Sequence, residues 1–304
     1  MQLFQFRQKG LVQIGLQFGK RTGEFGINLT KTLLAFQRRE LGREHPAIDR
    51  MDTLLEEYLE LDDMAKEMVT FASRYGEEER LFLAEEPEIL APLQRPGKIL
   101  CIGQNYAKHA AETGSKPPAT PVYFGKVADC IIGPRETIMM PRRFGRVDPE
   151  IELAVVIGKP GFQVPRDQAM DMVAGYTILN DVTARDVQNK AKDQGMPWFA
   201  SKNYASFCPM GPNITLKQYV HDPHDLEMTL SVNGEVRQQE NTGQMVFDIP
   251  HLIETLSWQL PLRPGDVIAT GTPHGIQALA DGDLLEMRID GLGCLKNAVR
   301  EIQH

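Results

Sequence analysis

Apolar and polar residues alternate in short runs at the start of the chain, over residues 3–7, 11–18 and 25–29. A period of two marks a strand with one buried face, so these runs predict a small sheet. The period then lengthens: Leu54, Leu55, Tyr58, Leu59, Leu61 and Met64 recur at helical spacing and predict helix across residues 51–75, with Glu56, Glu57, Glu60, Asp62 and Asp63 as a solvated face. Pro87, Pro92 and Pro96 mark residues 86–98 as a linker. Beyond it the pattern is mostly strand and turn. Strands are expected at 99–102, 151–157, 173–179, 226–232, 235–239, 266–269, 284–289 and 294–299, with short helices near 185–192 and 251–258. Asn233-Gly234 stands between two alternating runs and predicts a two-residue hairpin, because both central positions of such a turn need positive φ. The expected fold class is α+β and β-rich: a small N-terminal α+β domain plus linker over residues 1–95, and a closed or sandwiched β core over residues 96–304.

Composition narrows the choice of chemistry. A chain of 304 residues with 42% hydrophobic and 24% charged positions builds a large core without help from a metal or a disulfide, so any metal here has to be functional. The net charge of −8 offers no basic field to a polyanion and argues against nucleic acid as a partner. Cys101, Cys130, Cys208 and Cys294 are far apart and form no Cys-x-x-Cys pair, which fits buried free thiols in a reducing compartment. The start of the chain lacks the apolar core of a signal peptide, and no window has the length of a membrane span. A cytoplasmic protein with no membrane partner is expected, or an organelle-matrix protein if a presequence has been removed. Trp258 sits among apolar neighbours and is expected in the core.

Three segments carry candidate chemistry. Glu150 and Glu152 flank Ile151 at the head of an apolar strand, so they share one face at about 6 to 7 Å between Cα atoms. Two carboxylates there either reach solvent at the strand end or need a cation, and a hard divalent ion suits them. Asp181 closes the run Thr177-Ile178-Leu179-Asn180 just ahead of a helix, where it caps that helix or supplies a third oxygen ligand. Three ligands would leave positions open for substrate and water. His109 and Glu112, three apart, share a helical face as an exposed ion pair or as a base with its orienting carboxylate. His221-Asp222-Pro223-His224 reads as a surface turn. No nucleotide-binding glycine motif, phosphate loop or Gly-x-Ser-x-Gly is present.

Six motifs in this order resemble the fumarylacetoacetate hydrolase family. They are Asn-Tyr-x-x-His-x-x-Glu from Asn105, Glu-x-Glu-Leu-Ala-Val-Val-Ile-Gly from Glu150, Asn-Asp-Val-Thr-Ala-Arg-Asp-x-Gln from Asn180, Lys-x-x-x-x-Phe-Cys-Pro-x-Gly-Pro from Lys202, Val-Asn-Gly-Glu-Val from Val232, and Pro-Gly-Asp-Val-Ile-x-Thr-Gly-Thr-Pro from Pro264. The likeness spans about residues 97–300 and is greatest to the shorter, domain-containing branch, whose members include acylpyruvases and oxaloacetate tautomerases. It implies a β-roll core, a homodimer, and Mg²⁺ or Mn²⁺ on Glu150, Glu152 and Asp181, with Ca²⁺ as a substitute that crystals would accept. It further implies His109, Glu112 and Lys202 as catalytic groups, and Arg185, Gln188, Thr272 and Tyr106 near the substrate, with residues 123–126 lining the pocket. The implied substrate is a small 2-oxo or 1,3-dicarbonyl acid. Hydrolysis of a C–C bond in an acylpyruvate through an enolate is the expected reaction, oxaloacetate tautomerisation or decarboxylation the alternative, and a catalytically silent metal-binding scaffold the remaining one. Two departures stand out: Ile102 occupies the place of a further acidic ligand in fumarylacetoacetase itself, and His274 follows Pro273 where relatives carry a small residue or proline. The basic run Arg142-Arg143-Phe144-Gly145-Arg146 is either surface charge or an attractor for an acidic substrate.

Overall fold

A computed structural model describes residues 1–19, 26–83 and 87–303. Among them the apolar runs assemble into two main sheets. The larger has eleven strands, and its path runs Ile27–Asn28, Leu11–Gln17, Gln2–Gln8, Cys208–Leu216, Val173–Asn180, Ile151–Ile157, Val267–Ala269, Ile99–Gly103, Val122–Lys126. The second is ordered Glu235–Asn241, Glu227–Val232, Leu284–Ile289, Gly293–Ile302, Thr137–Pro141. This is the mixed, strand-rich architecture expected from the periodicity.

The central strand Ile151–Ile157 is buried at every position, as an almost unbroken apolar run requires. Its two faces meet different neighbours. Ile151, Leu153, Val155 and Ile157 pack in one cluster with Met228, Leu230, Leu285 and Met287 of the second sheet. Ala154 and Val156 belong to another with Leu54, Leu55, Met64 and Met68 of the N-terminal helices. The N-terminal strands extend the same sheet, since Gln2–Gln8 pairs with Leu11–Gln17 on one side and Cys208–Leu216 on the other.

The predicted hairpin forms, with Asn233 at φ 53° and Gly234 at φ 83° between the strands Glu227–Val232 and Glu235–Asn241. The helix expected across residues 51–75 is two, Met51–Glu57 and Leu61–Tyr75, separated where Tyr58 turns extended. No glycine or proline announces that break. The strand expected at 25–29 reduces to Ile27–Asn28, Phe25 lying outside the described residues, because Asn28 caps an unforeseen helix Leu29–Glu40 by accepting the Lys31 N–H at 3.1 Å. Within the linker, whose residue 86 is also outside the described set, Glu88–Leu90 pairs with Gln2–Gln8. Cys208–Leu216 is a strand despite Pro209 and Pro212. Trp258 is not in the core: on the helix Ile249–Gln259, Leu252, Ile253 and Leu256 take the buried face and leave the indole 55% exposed. Cys101, Cys130 and Cys208 are buried free thiols, whereas Cys294 is partly exposed. Among the described residues no helix is long and apolar enough to cross a membrane.

Candidate metal centre and active site

Strand pairing brings the acidic residues together. Ile151 faces Asn180 in an antiparallel register, so Glu150 and Asp181 leave adjacent strand ends, joined by the Asp181 N–H donating to the Glu150 carbonyl at 2.9 Å. The Asn180 side chain accepts from the Glu150 N–H at 2.9 Å and fixes the corner. Glu152 lies two positions along on the same side. One oxygen from each of Glu150, Glu152 and Asp181 falls within 4.8 Å of the others, and all three residues are buried.

Buried carboxylates this close require compensation. Lys202 lies on the helix Phe199–Lys202, and its Nζ donates to Glu150 at 2.8 Å, to Thr183 Oγ1 at 2.7 Å and to Asp181. Lys126, at the end of Val122–Lys126, donates to Asp181 at 2.8 Å and to the Lys202 carbonyl at 2.5 Å. Arg185 donates to Glu150, to Asp148 at 2.7 Å and to the Gln188 side-chain oxygen at 2.6 Å. Burial acts to raise the Glu150 carboxyl, but Lys202 and Arg185 overcome it and hold the group well below the usual range. In return Asp181 and Glu150 raise the Lys202 ammonium against the effect of its burial.

Glu152 differs. Its carboxylate accepts the Gly271 N–H at 2.9 Å and has no cation partner among the described residues. Burial, with Asp181 and Glu150 beside it, pushes its carboxyl well above the ordinary range. A divalent cation would supply the charge that Glu152 does not receive from a side chain. Three hard oxygen donors, with neither sulfur nor imidazole among them, fit Mg²⁺, Mn²⁺ or Ca²⁺.

The dyad forms as the spacing predicts. On the helix Ala107–Glu112, His109 Nδ1 lies 3.2 Å from Glu112 Oε2, and Glu112 Oε1 accepts the Gly275 N–H at 3.0 Å. Burial raises the Glu112 carboxyl less than His109 and Gly275 lower it, so the carboxylate is ionised and holds the imidazole through Nδ1. His109, Glu150, Glu152, Asp181, Arg185, Gln188, Lys202 and Thr272 line one cleft. Gln238 fixes Thr272, donating to its Oγ1 at 3.0 Å, and accepts from the Ile151 N–H at 3.0 Å. Tyr106 is not in the cleft: it is 1% exposed in the core, and its hydroxyl has no hydrogen-bond partner among the described residues. Of residues 123–126, Phe124 lines the cleft and Lys126 braces it from behind.

Sequence reasoning gave no individual role to Lys126, Asp148, Gln238, Gln104, Lys192 or Trp198. Gln104, Lys192 and Trp198 line the cleft beside Ile102. The basic run before the central strand is largely spent on structure, with Arg142 paired to Glu301 and Arg146 to Asp148 at 2.7 Å. His224 accepts the Ile249 N–H at 3.1 Å, as a structural turn residue would.

The family profile described as fumarylacetoacetate (FAA) hydrolase C-terminal matches residues 98–300. The chain belongs to the fumarylacetoacetate hydrolase family. Within that family, an uncharacterised protein of Pyrococcus abyssi is 50% identical over 205 residues, covering 67% of this chain and 91% of its own. Human mitochondrial oxaloacetate tautomerase FAHD2A is 37% identical, covering 98% of this chain and 91% of its own. Among solved structures, maleylpyruvate hydrolase from Sphingobium sp. SYK-6, in complex with manganese(II) and pyruvate, covers all of both chains at 30% identity and a TM-score of 0.76. The fumarylacetoacetate hydrolase of Exiguobacterium antarcticum covers 99% of this chain and all of its own at 29% identity and a TM-score of 0.77. The relatives thus include hydrolases and a tautomerase.

Proposed function

We propose that this protein is a divalent-cation-dependent enzyme that interconverts the keto and enol forms of a small 2-oxo dicarboxylic acid of the oxaloacetate type. The observation that carries the reading is the pairing, in one cleft, of a buried carboxylate triad braced by Lys202 with a His109 base oriented by Glu112. A cation on Glu150, Glu152 and Asp181 would supply Lewis acidity to the adjacent oxygens of a 2-oxo acid. The chain's own groups do the rest. His109 Nε2 takes a proton from the carbon beside the ketone, negative charge develops on the ketone oxygen, and the Lys202 ammonium stabilises it. Return of the proton to that oxygen completes the enol. Thr272 and Gln188 hold the carboxylate end. The oxaloacetate tautomerase relative that spans almost the whole chain supports this choice.

Hydrolytic C–C cleavage of an acylpyruvate is the second reading, favoured by the similarity to two hydrolase structures. There His109 would deprotonate water for attack on the distal carbonyl, and the same enolate would depart. In both readings we take the protein to be a homodimer of a reducing compartment, most simply the cytoplasm, in keeping with its buried free thiols.

The test is a spectrophotometric assay of chelator-stripped and Mn²⁺- or Mg²⁺-loaded protein on oxaloacetate, acetylpyruvate and fumarylpyruvate, with product identification. Cation-dependent enol–keto conversion of oxaloacetate without pyruvate from the acylpyruvates is expected. Pyruvate and a second acid from an acylpyruvate would select the hydrolase, and tight cation binding with no turnover would leave a scaffold.

A further inference from the structure

Three cations line the cleft, Arg185, Lys192 and Lys202. Arg185 and Lys202 are taken up by Asp148, Glu150 and Asp181. Lys192, near the end of the helix Arg185–Asp193, has no carboxylate partner among the described residues. Its Nζ instead stands 5.2 Å from the centre of the Trp198 ring. That ring is itself fixed, meeting Phe124 edge-on at 5.7 Å between centroids. Gly103 lets it approach, since a Cβ there would stand 2.9 Å from the indole. The half-buried ammonium is therefore held by an aromatic face, with no carboxylate of the described residues within ion-pair distance. Gln104 lines the same cleft with a side chain that bonds to no described residue. Gln104 has φ 60°, a left-handed conformation unusual for glutamine, next to Asn105, whose amide is anchored to Thr270 and Phe247.

We infer that Lys192, seated on Trp198, binds a second carboxylate at the far end of the substrate and selects 2-oxo dicarboxylic acids over 2-oxo monocarboxylic acids. The inference deepens the proposed reading and rests on it, because the 2-oxo acid head must occupy the Glu150, Glu152, Asp181 end of the cleft. Gln104 contributes a neutral donor to the same far end. Burial and the neighbouring Arg185 lower the proton affinity of Lys192, opposite to the raised Lys126 and Lys202, as fits a lysine whose anion arrives with the ligand.

Two unreactive ligands separate the ends. Oxalylglycine and N-ethyloxamate share the same oxalyl head, and the second carries a methyl group where the first has its distal carboxylate. Calorimetric titration of Mn²⁺-loaded protein should find oxalylglycine bound about tenfold or more tighter, as for a charge-assisted hydrogen bond in a partly desolvated site. Lys192→Met should erase that preference by weakening oxalylglycine alone, and Lys192→Arg should largely retain it. If the wild type binds both ligands equally, or Lys192→Met weakens both alike or neither, the assignment of Lys192 falls while the head-group site stands. If the wild type binds neither, the proposed function falls with it.

Discussion

Replacing Glu152 with Gln changes one oxygen to an NH₂ group and should have consequences opposite to those of the same change at Glu150. Glu152 is a carboxyl whose ionisation burial and two neighbouring carboxylates oppose. An amide there removes the repulsion, so Glu152→Gln should leave the chelated protein as stable as the wild type or more so, while weakening Mn²⁺ binding at least tenfold. Glu150 is the anchor of both Lys202 and Arg185. Glu150→Gln leaves two buried cations short of charge and should cost about 3–5 kcal/mol on the scale of a broken buried ion pair. Urea unfolding of chelated protein and calorimetry with Mn²⁺ read the two effects separately. Equal stability losses in both variants would refute the distinction. His109→Ala tests the base: turnover should fall at least a hundredfold with cation affinity unchanged, and unimpaired turnover would remove His109 from the chemistry.

At the level of elements, the site was legible where local pattern and long-range geometry coincide. The apolar strand Ile151–Ile157 and the run ending at Asp181 are visible from composition alone, and antiparallel pairing then sets Glu150 beside Asp181. The dyad is legible because His109 and Glu112 are three apart on one helix. Lys126 had no such local signal. It is 55 positions from Asp181, on a short edge strand, and only the parallel and antiparallel neighbours of Ile99–Gly103 deliver it behind the cluster. The left-handed turn at Gln104 is likewise unreadable, since nothing in a glutamine announces positive φ. Tyr106 was expected near the substrate because it sits in the motif of the dyad, but its strand-like approach to the helix turns it into the core. Since Lys126 is fully buried against Asp181, Lys126→Met should destabilise chelated protein by about 3–5 kcal/mol. A bound cation supplies charge to the same carboxylate, so the loss should shrink when Mn²⁺ is present. An equal loss with and without Mn²⁺ would mean that Lys126 acts on packing alone.

For the whole molecule these shifts tie stability and cation binding to pH with opposing signs. Glu150 titrates lower in the fold than in the unfolded chain, so its contribution is present above the ordinary carboxylate pKa of about 4.3 and is lost as pH falls through its depressed folded value. Glu152 titrates higher, so its contribution is full below about 4.3 and is lost as pH rises toward its elevated folded value. A cation that binds all three carboxylates must expel the proton that Glu152 retains. Each cation bound should therefore release close to one proton wherever Glu152 is protonated in the free protein, and apparent affinity should rise about tenfold per pH unit there. Above the folded pKa of Glu152 both effects should level off. Titrating chelated protein with Mn²⁺ in buffers of different ionisation heat, from the ordinary carboxylate pKa of about 4.3 upward, counts those protons directly. The stabilisation conferred by saturating Mn²⁺ should grow over the same range, and Glu152→Gln should abolish the release. A pH-independent affinity with no proton release, shared by wild type and Glu152→Gln, would mean that Glu152 is not a ligand, and the cation would have to be held by Glu150 and Asp181 without it.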